Sequence, residues 1–271
     1  MRYPATHINF TRTGQGPPAL MVHGNPATCT LWRPIAERLA GRRTIYAIDL
    51  PGFGGSPAPR EHTGYSLASI ASTLVEFARL HGLERFDLVG HSFGGAIAIT
   101  LADMAPEHIR SIAVITPMTD RIPPLARLAR YRIFERCGRT IWRIMPGSLR
   151  RLFARQWAHV SYGRGYSRAR AEEVAREVDR ADIVDSLCGL VTEADYAAYG
   201  AAISRQAMRD IPMLLAGSED DRIIPLEHFD GLCRRLPRAE RHIFPLGSHV
   251  PMWQYPDEIA RLLAAFWEKS D

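Results

Sequence analysis

The run Ala19-Leu20-Met21-Val22 is apolar at every position. A strand with one face in water alternates apolar and polar residues. An unbroken apolar strand therefore belongs in a sheet covered on both faces. Thr44–Ile48 reads as a second buried strand and Ile109–Ile115 as another. The first two end in loops by composition, His23-Gly24-Asn25-Pro26 and Asp49–Pro57. Helical patterns lie between the strands. Trp32–Leu39 has helical spacing and stops at Gly41, and Ser66–Leu80 sets Leu67, Ile70, Leu74, Phe77 and Ala78 on one face. Alternation of this kind predicts an α/β protein with a mostly parallel, twisted sheet flanked by helices.

The stretch Leu88-Val89-Gly90-His91-Ser92-Phe93-Gly94-Gly95 joins a strand-type run to the helix-forming run Ala96–Ala102. It places a serine between glycines at the two positions on either side, G-x-S-x-G, in a strand–turn–helix context. The turn has to be tight, and a Cβ at either glycine would collide with neighbouring backbone. The serine hydroxyl is then lifted off the sheet, with a helix N-terminus behind it.

The alternation stops at Pro117. From there to Arg209 only helical signals occur: Leu125–Cys137, Leu149–Val160, Arg168–Asp179 and Ala194–Met208, with a Glu172/Arg176 pair at helical spacing. Aromatic residues recur in this segment, and most are expected to pack in its core while two or three face a pocket. Alternation resumes with the strand Pro212–Ala216, the helix Leu226–Leu236, the strand Arg241–Phe244 and the helix Asp257–Trp267. The division this predicts is a core domain of residues 1–116 and 210–271 with an all-helical insertion of residues 117–209. His7–Thr11 alternates and reads as a first strand.

The net charge of +5 is uneven, since residues 117–209 carry 17 Arg against 10 Asp and Glu. No nucleic-acid-binding module accompanies that basicity, so a solvated arginine-rich helical surface is expected and no nucleic acid partner. The four cysteines, Cys29, Cys137, Cys188 and Cys233, have no zinc spacing and read as free, mostly buried thiols. No metal and no cofactor is expected. The N-terminal residues have no apolar signal core, and no run of 18 apolar residues exists, which predicts a cytoplasmic protein without a membrane span. The chain is expected to act as a monomer or homodimer on a small molecule.

In an open α/β sheet ligands bind beyond the carboxyl ends of the strands. Asn25, Ser92, Asp220/Asp221 and His249 all follow strands, so they should converge on one sheet edge. A serine hydroxyl needs a base to take its proton, and the base needs a group that holds its tautomer and stabilises its cation. The chain order Ser92, then Asp220 or Asp221, then His249, is the nucleophile–acid–histidine order of α/β-hydrolases.

Over essentially its whole length the chain resembles the α/β-hydrolase-fold superfamily. The resemblance rests on His23-Gly24-Asn25-Pro26, Asp49-x-x-Gly52-x-Gly54-x-Ser56, Gly90–Gly95, Asp221-Arg222-Ile223-Ile224-Pro225 and Gly247-Ser248-His249-Val250-Pro251. It implies a helical cap in residues 117–209, Ser92 as nucleophile, His249 as base, and an oxyanion hole from the N–H groups of Phe93 and Asn25. For the acid it favours Asp221, four residues before Pro225, with Asp220 as runner-up by counting from Gly217 and Asp120 as a weaker third. His23 and His91 are expected beside the site and Asp49 as a brace of its loop. Asn25, His91, Val250, Trp142 and Trp157 are the candidate substrate-binding residues. One clear strand precedes Ala19–Val22 where the family has a hairpin, so seven to eight strands are expected, with a shortened first edge.

The loop His23–Pro26 followed by Leu31-Trp32-Arg33 is similar to that of haloalkane dehalogenases. Those enzymes use an aspartate where this chain has Ser92, which argues against dehalogenation and epoxide hydrolysis. Meta-cleavage C–C hydrolases usually carry Asn before the serine and Trp after the histidine, whereas this chain has His91 and Val250. The expectation is a serine hydrolase of carboxylic esters, lactones or thioesters, resembling carboxylesterases. A C–C hydrolase, acyltransferase, lyase or ligand receptor with the same triad is the alternative.

Overall fold

The computed structural model describes residues 3–121, 132–180 and 183–270. Seven strands form one sheet: β1 (Phe10–Thr13), β2 (Pro18–Val22), β3 (Thr44–Ile48), β4 (Phe86–His91), β5 (Ile109–Ile115), β6 (Met213–Ser218) and β7 (Glu240–Phe244). Their order is β1-β3-β2-β4-β5-β6-β7, with β1 antiparallel to β3 and every other pair parallel. The unbroken apolar runs are explained by burial on both faces. Leu20 and Val22 of β2 join one core cluster, while Ala19 and Met21 join the other. β5 divides the same way, with Ile112 and Val114 on one side and Ala113 and Ile115 on the other.

One face is covered by α2 (Leu67–Leu80), α3 (Phe93–Met104) and α9 (Leu226–Arg235), and the other by α1 (Arg33–Leu39) and α10 (Pro256–Glu268). Ten α-helices occur among the described residues. β2 leads to β3 on one side, and β4 leads to β5 on the other. The connection therefore reverses direction between β2 and β4, which pair with Val22 opposite Gly90. A crevice opens beyond the carboxyl ends of strands at such a reversal, and the loops after β2 and β4 lie side by side there.

The first strand begins later than the alternation of His7–Thr11 predicts. Residues 5–7 form a single 3-10 turn, and the ladder runs from Phe10 opposite Ile48 to Thr13 opposite Ile45. Its partner β3 ends at Ile48. Beyond it only one bond continues the pairing, from the Asp49 N–H to the Asn9 carbonyl at 2.8 Å.

Between β5 and β6 run α4 (Arg132–Ile144), α5 (Gly147–Tyr162), α6 (Arg168–Val178), α7 (Ile183–Thr192) and α8 (Tyr196–Gln206). The first differs from the expected Leu125–Cys137: it continues to Ile144, just before Pro146, and residues 122–131 lie outside the described residues. α7 is a helix the pattern does not announce. Its Ile183, Val184, Val191 and Thr192 are β-branched, and Gly189 interrupts it, so propensity alone argues against it. Burial of Ile183, Val184 and Leu190, with the Ser186 hydroxyl 2.9 Å from that of Tyr65, outweighs propensity. α8 packs against α3, and its Tyr199 donates to the Met118 carbonyl at 2.7 Å.

The arginines of this segment are largely engaged with acids on neighbouring helices. Arg139 and Arg143 meet Asp185, and Arg150 and Arg151 meet Asp179. Glu172 pairs with Arg155 of α5, a contact between helices rather than one within α6. The aromatics are divided. Tyr162, Tyr196 and Tyr199 are buried, but Phe153 is exposed together with Ile141, Ile144, Leu149 and Leu152. Tyr131 and the Phe134 side chain lie outside the described residues. Of the thiols, only Cys29 is buried; Cys137 is exposed on α4, and all four are free. No described helix is long and apolar enough to cross a membrane.

Candidate active site

Ser92 sits between β4 and α3 at φ 51° and ψ −117°, a conformation a non-glycine residue adopts only when its surroundings hold it there. The two flanking glycines show what holds it. A Cβ at Gly90 would lie 2.4 Å from the Gly94 carbonyl oxygen, and one at Gly94 would lie 2.2 Å from the Val22 oxygen. The turn thus closes on itself and against the end of β2. Gly24 on the neighbouring loop is equally close, since a Cβ there would meet Ser92 Cβ at 2.7 Å.

His249 reaches this serine from the loop after β7. Its Nε2 is 2.9 Å from Ser92 Oγ and its Nδ1 is 2.8 Å from Asp221 Oδ2. A carboxylate only accepts, so Nδ1 carries the proton and Nε2 faces Ser92 with its lone pair. The other oxygen of Asp221, Oδ1, accepts the N–H groups of Ile223 and Ile224 at 2.7 and 2.9 Å. Each carboxylate oxygen thus has its own task, and the group cannot turn. Asp220 is not at the histidine. Its oxygens take the N–H and the hydroxyl of Ser248 at 2.7 and 3.0 Å. Asp120 pairs with Arg235 of α9.

The main chain of His249 is held from three sides. Its carbonyl accepts from His91 Nε2 at 2.9 Å and from the Thr116 hydroxyl at 2.8 Å. Its N–H donates to the Ser161 carbonyl near the end of α5 at 3.0 Å, and the Val250 N–H reaches the same oxygen at 3.2 Å. Burial, reinforced by the neighbouring His249, holds the His91 pKa well below the usual imidazole range. His91 is therefore neutral, with its proton on Nε2. His23 is also lowered by burial; it donates to the Gly24 carbonyl at 2.7 Å and accepts the Leu50 N–H at 2.9 Å. Asp49 ties the loops after β2 and β3 together. It accepts from the Cys29 N–H and Asn9 Nδ2, both at 2.6 Å, and from the Gly55 N–H at 2.9 Å.

Phe93 opens α3, so its N–H has no acceptor within the helix and points out at the positive end of the helix dipole. Asn25 follows Gly24 on the loop that packs against Ser92, and precedes Pro26 across a cis peptide bond. Asn25, His91, Trp157, His249 and Val250 line one crevice. Trp142 does not join them: its ring packs edge-on to Phe153 at 6.4 Å, away from this lining. Thr116 and Ser161 are site residues that sequence reasoning misses. Thr116 directly follows β5, a position the strand-end rule covers. Ser161 carries no signal, because it acts through its main chain. Among the described residues no group of His, Cys, Asp and Glu could hold a metal ion.

A family model described as the alpha/beta hydrolase fold matches residues 17–256. A fluoroacetate dehalogenase of Burkholderia sp is 37% identical over 139 residues, which span 50% of this chain and 42% of that protein. A pimeloyl-[acyl-carrier protein] methyl ester esterase of Chromobacterium violaceum is 29% identical over 260 residues, 94% of this chain and 96% of that one. A thermophilic esterase from Thermogutta terrifontis superposes with a TM-score of 0.81 at 21% identity, covering 97% of this chain and 93% of the other. The strand order, the serine on its tight turn and a family match over most of the sequence converge: this chain belongs to the alpha/beta hydrolase family.

Proposed function

We propose that the chain is a serine hydrolase that cleaves a carboxylic ester, lactone or thioester through an acyl-enzyme on Ser92. The observation that carries this reading is the continuous path from Ser92 Oγ through the His249 ring to Asp221, with 2.9 and 2.8 Å steps. His249 takes the Ser92 proton as Oγ attacks the ester carbon, and Asp221 stabilises the imidazolium that forms. The N–H groups of Phe93 and Asn25 receive the oxyanion, each worth roughly 3–4 kcal/mol of barrier. The imidazolium then protonates the departing alkoxide or thiolate. A water enters and adds to the acyl carbon as His249 removes its proton; His249 then returns that proton to Ser92 Oγ as the Oγ–carbon bond breaks, and the acyl group leaves as the acid.

Serine chemistry also argues against dehalogenation, despite the resemblance to a fluoroacetate dehalogenase over half the chain. Displacement of a halide by Ser92 Oγ would leave an alkyl ether on the enzyme. An ether has no carbonyl for the His249-activated water to attack, so turnover would stop. A carboxylate nucleophile forms an ester instead. Relatives along the whole chain that act on methyl esters favour the ester reading.

In this reading residues 117–209 act as a cap on a core of residues 1–116 and 210–271. The Ser161 carbonyl on His249, and Trp157 and Val174 in the crevice lining, support it. The test is hydrolysis of a panel of short p-nitrophenyl esters by the wild type and Ser92→Ala. The variant is expected to lose at least about a thousandfold in kcat/KM; retained turnover rejects the acyl-enzyme.

A further inference from the structure

Three non-glycine residues hold a positive φ among the described residues: Ser92 at 51°, Thr116 at 43° and Ser248 at 49°. The first carries the nucleophilic hydroxyl and the last directly precedes His249. Thr116, just beyond the end of β5, touches the loops of both. A β-branched residue in the left-handed region is strained, and such strain persists only where the surroundings impose it. Glycine would take that φ freely. What a threonine adds there is its side chain, and its hydroxyl donates to the His249 carbonyl at 2.8 Å, with both residues buried.

The main chain around Thr116 holds Ser92 at the same time. The Ser92 N–H donates to the Ile115 carbonyl at 3.1 Å, and the Met118 N–H donates to the Ser92 carbonyl at 3.0 Å. The Thr116 N–H donates to the Ala216 carbonyl at 2.7 Å, which keeps the strained residue tied to β6. Tyr199 of α8 in turn holds the Met118 carbonyl.

We infer that Thr116 is a positioning residue: its hydroxyl keeps the His249 ring in register with Ser92 Oγ. This rests on the acyl-enzyme reading above. A carbonyl oxygen has two lone pairs. On His249 one accepts from His91 Nε2 at 2.9 Å and the other from Thr116. His91 ends β4 and Thr116 follows β5, so the two donors come from neighbouring strands. Without the Thr116 hydroxyl, the peptide group between His249 and Val250 keeps only His91 and the longer 3.2 Å bond from Val250 to Ser161. It can then tilt, the ring tilts with it, and the 2.9 Å contact of Nε2 with Ser92 Oγ lengthens.

The test compares Thr116→Val, which keeps the branching but removes the donor, with Thr116→Ser, which keeps the donor. On a p-nitrophenyl ester kcat is expected to fall about ten- to a hundredfold in Thr116→Val, with KM changed by about twofold or less. Thr116→Ser should stay within about threefold of the wild type. Labelling of Ser92 by a fluorophosphonate, in which Oγ displaces fluoride from phosphorus, needs the same base without recognition of an ester. Its rate should fall with kcat in Thr116→Val and recover in Thr116→Ser. If Thr116→Val does not fold, Thr116→Gly takes the φ without strain and is expected to show the same loss per folded molecule. Wild-type kcat and labelling rate in the valine or glycine variant would mean that the hydroxyl only satisfies a buried carbonyl, and overturns the inference. So does a loss in Thr116→Ser as large as in Thr116→Val, which assigns the effect to the methyl group. Turnover that persists in Ser92→Ala rejects the acyl-enzyme and the positioning role together. A wild type that hydrolyses no ester but is labelled at Ser92 rejects the ester reading alone, and the labelling rates then decide on Thr116.

Discussion

The carbonyl of Ser161 accepts the N–H of His249 at 3.0 Å, so the histidine that faces Ser92 hangs from the last turn of α5. The same helix presents Trp157 to the crevice one turn earlier. A shift of α5 therefore moves the crevice wall and the histidine together.

Gly163, immediately after α5, tests that coupling. Its φ is +48°, and a Cβ there would lie 1.8 Å from Ser248 Oγ. Gly163→Ala must displace Ser248, which precedes His249. Activity is expected to fall about a hundredfold, as for a small misplacement of a reacting group. Denaturant unfolding should report a loss of about 1–3 kcal/mol from the strained φ. Unchanged kcat/KM would mean the histidine loop is positioned without α5.

Asp220 and Asp221 should separate cleanly by kinetics. Asp221→Asn keeps the shape but removes the acceptor that fixes the His249 tautomer, and kcat is expected to fall about ten-thousandfold. Asp220→Asn touches only Ser248 and should cost about tenfold or less. The reverse ranking would assign the acid to Asp220.

His23 and His91 make stability depend on pH. Both have pKa values lowered from 6.5 by burial, so the unfolded chain takes up protons that the folded chain refuses. Their contribution is complete above about pH 6.5. It is lost as the pH falls from there toward their lowered folded values. Urea midpoints should therefore drop steadily between pH 7 and pH 5, and less steeply in His91→Gln, which cannot titrate. A flat wild-type profile over that interval would mean that both rings take up protons in the folded chain as readily as in the unfolded one.

What a sequence discloses here depends on whether a residue acts through its type or its main chain. Ser92 is legible because only glycine tolerates the contacts at positions 90 and 94, and that spacing survives as letters. The choice between Asp220 and Asp221 is not settled by the letters. The loop is a residue longer than usual, and both acids are used, one on Ser248 and one on His249. Thr116 is half-visible as a polar residue at a strand end. Ser161 is invisible, because any residue could supply its carbonyl. α7 is hidden for a different reason: its propensity is poor, and its packing against Tyr65 comes from residues far away in sequence. Trp142 and Phe153 show the converse limit. Large aromatics suggest a pocket or a core, yet Phe153 is exposed, and Trp142 packs half-buried against the hydrophobic cluster without lining the crevice.

Asp87 lies at the opposite end of β4 from Ser92 and is wholly buried. It accepts from Arg43 Nε at 2.9 Å, Arg110 Nη1 at 3.1 Å and the Ser111 hydroxyl at 2.8 Å. Arg43 is itself buried and lies over the Trp267 ring at 5.0 Å, so this cluster joins β4, β5 and the residue that leads into β3 to α10. Removing one member of a buried pair leaves the other charge without compensation, at a cost of about 3–5 kcal/mol. Asp87→Ala is therefore expected to lower unfolding stability by that amount. The strand's far end still positions Ser92, so kcat per folded molecule should stay within about threefold of the wild type. The measurement is urea unfolding beside active-site titration. A loss under 1 kcal/mol would mean water reaches Arg43, and a large fall in kcat per titrated site would mean the cluster also sets the height of the serine turn.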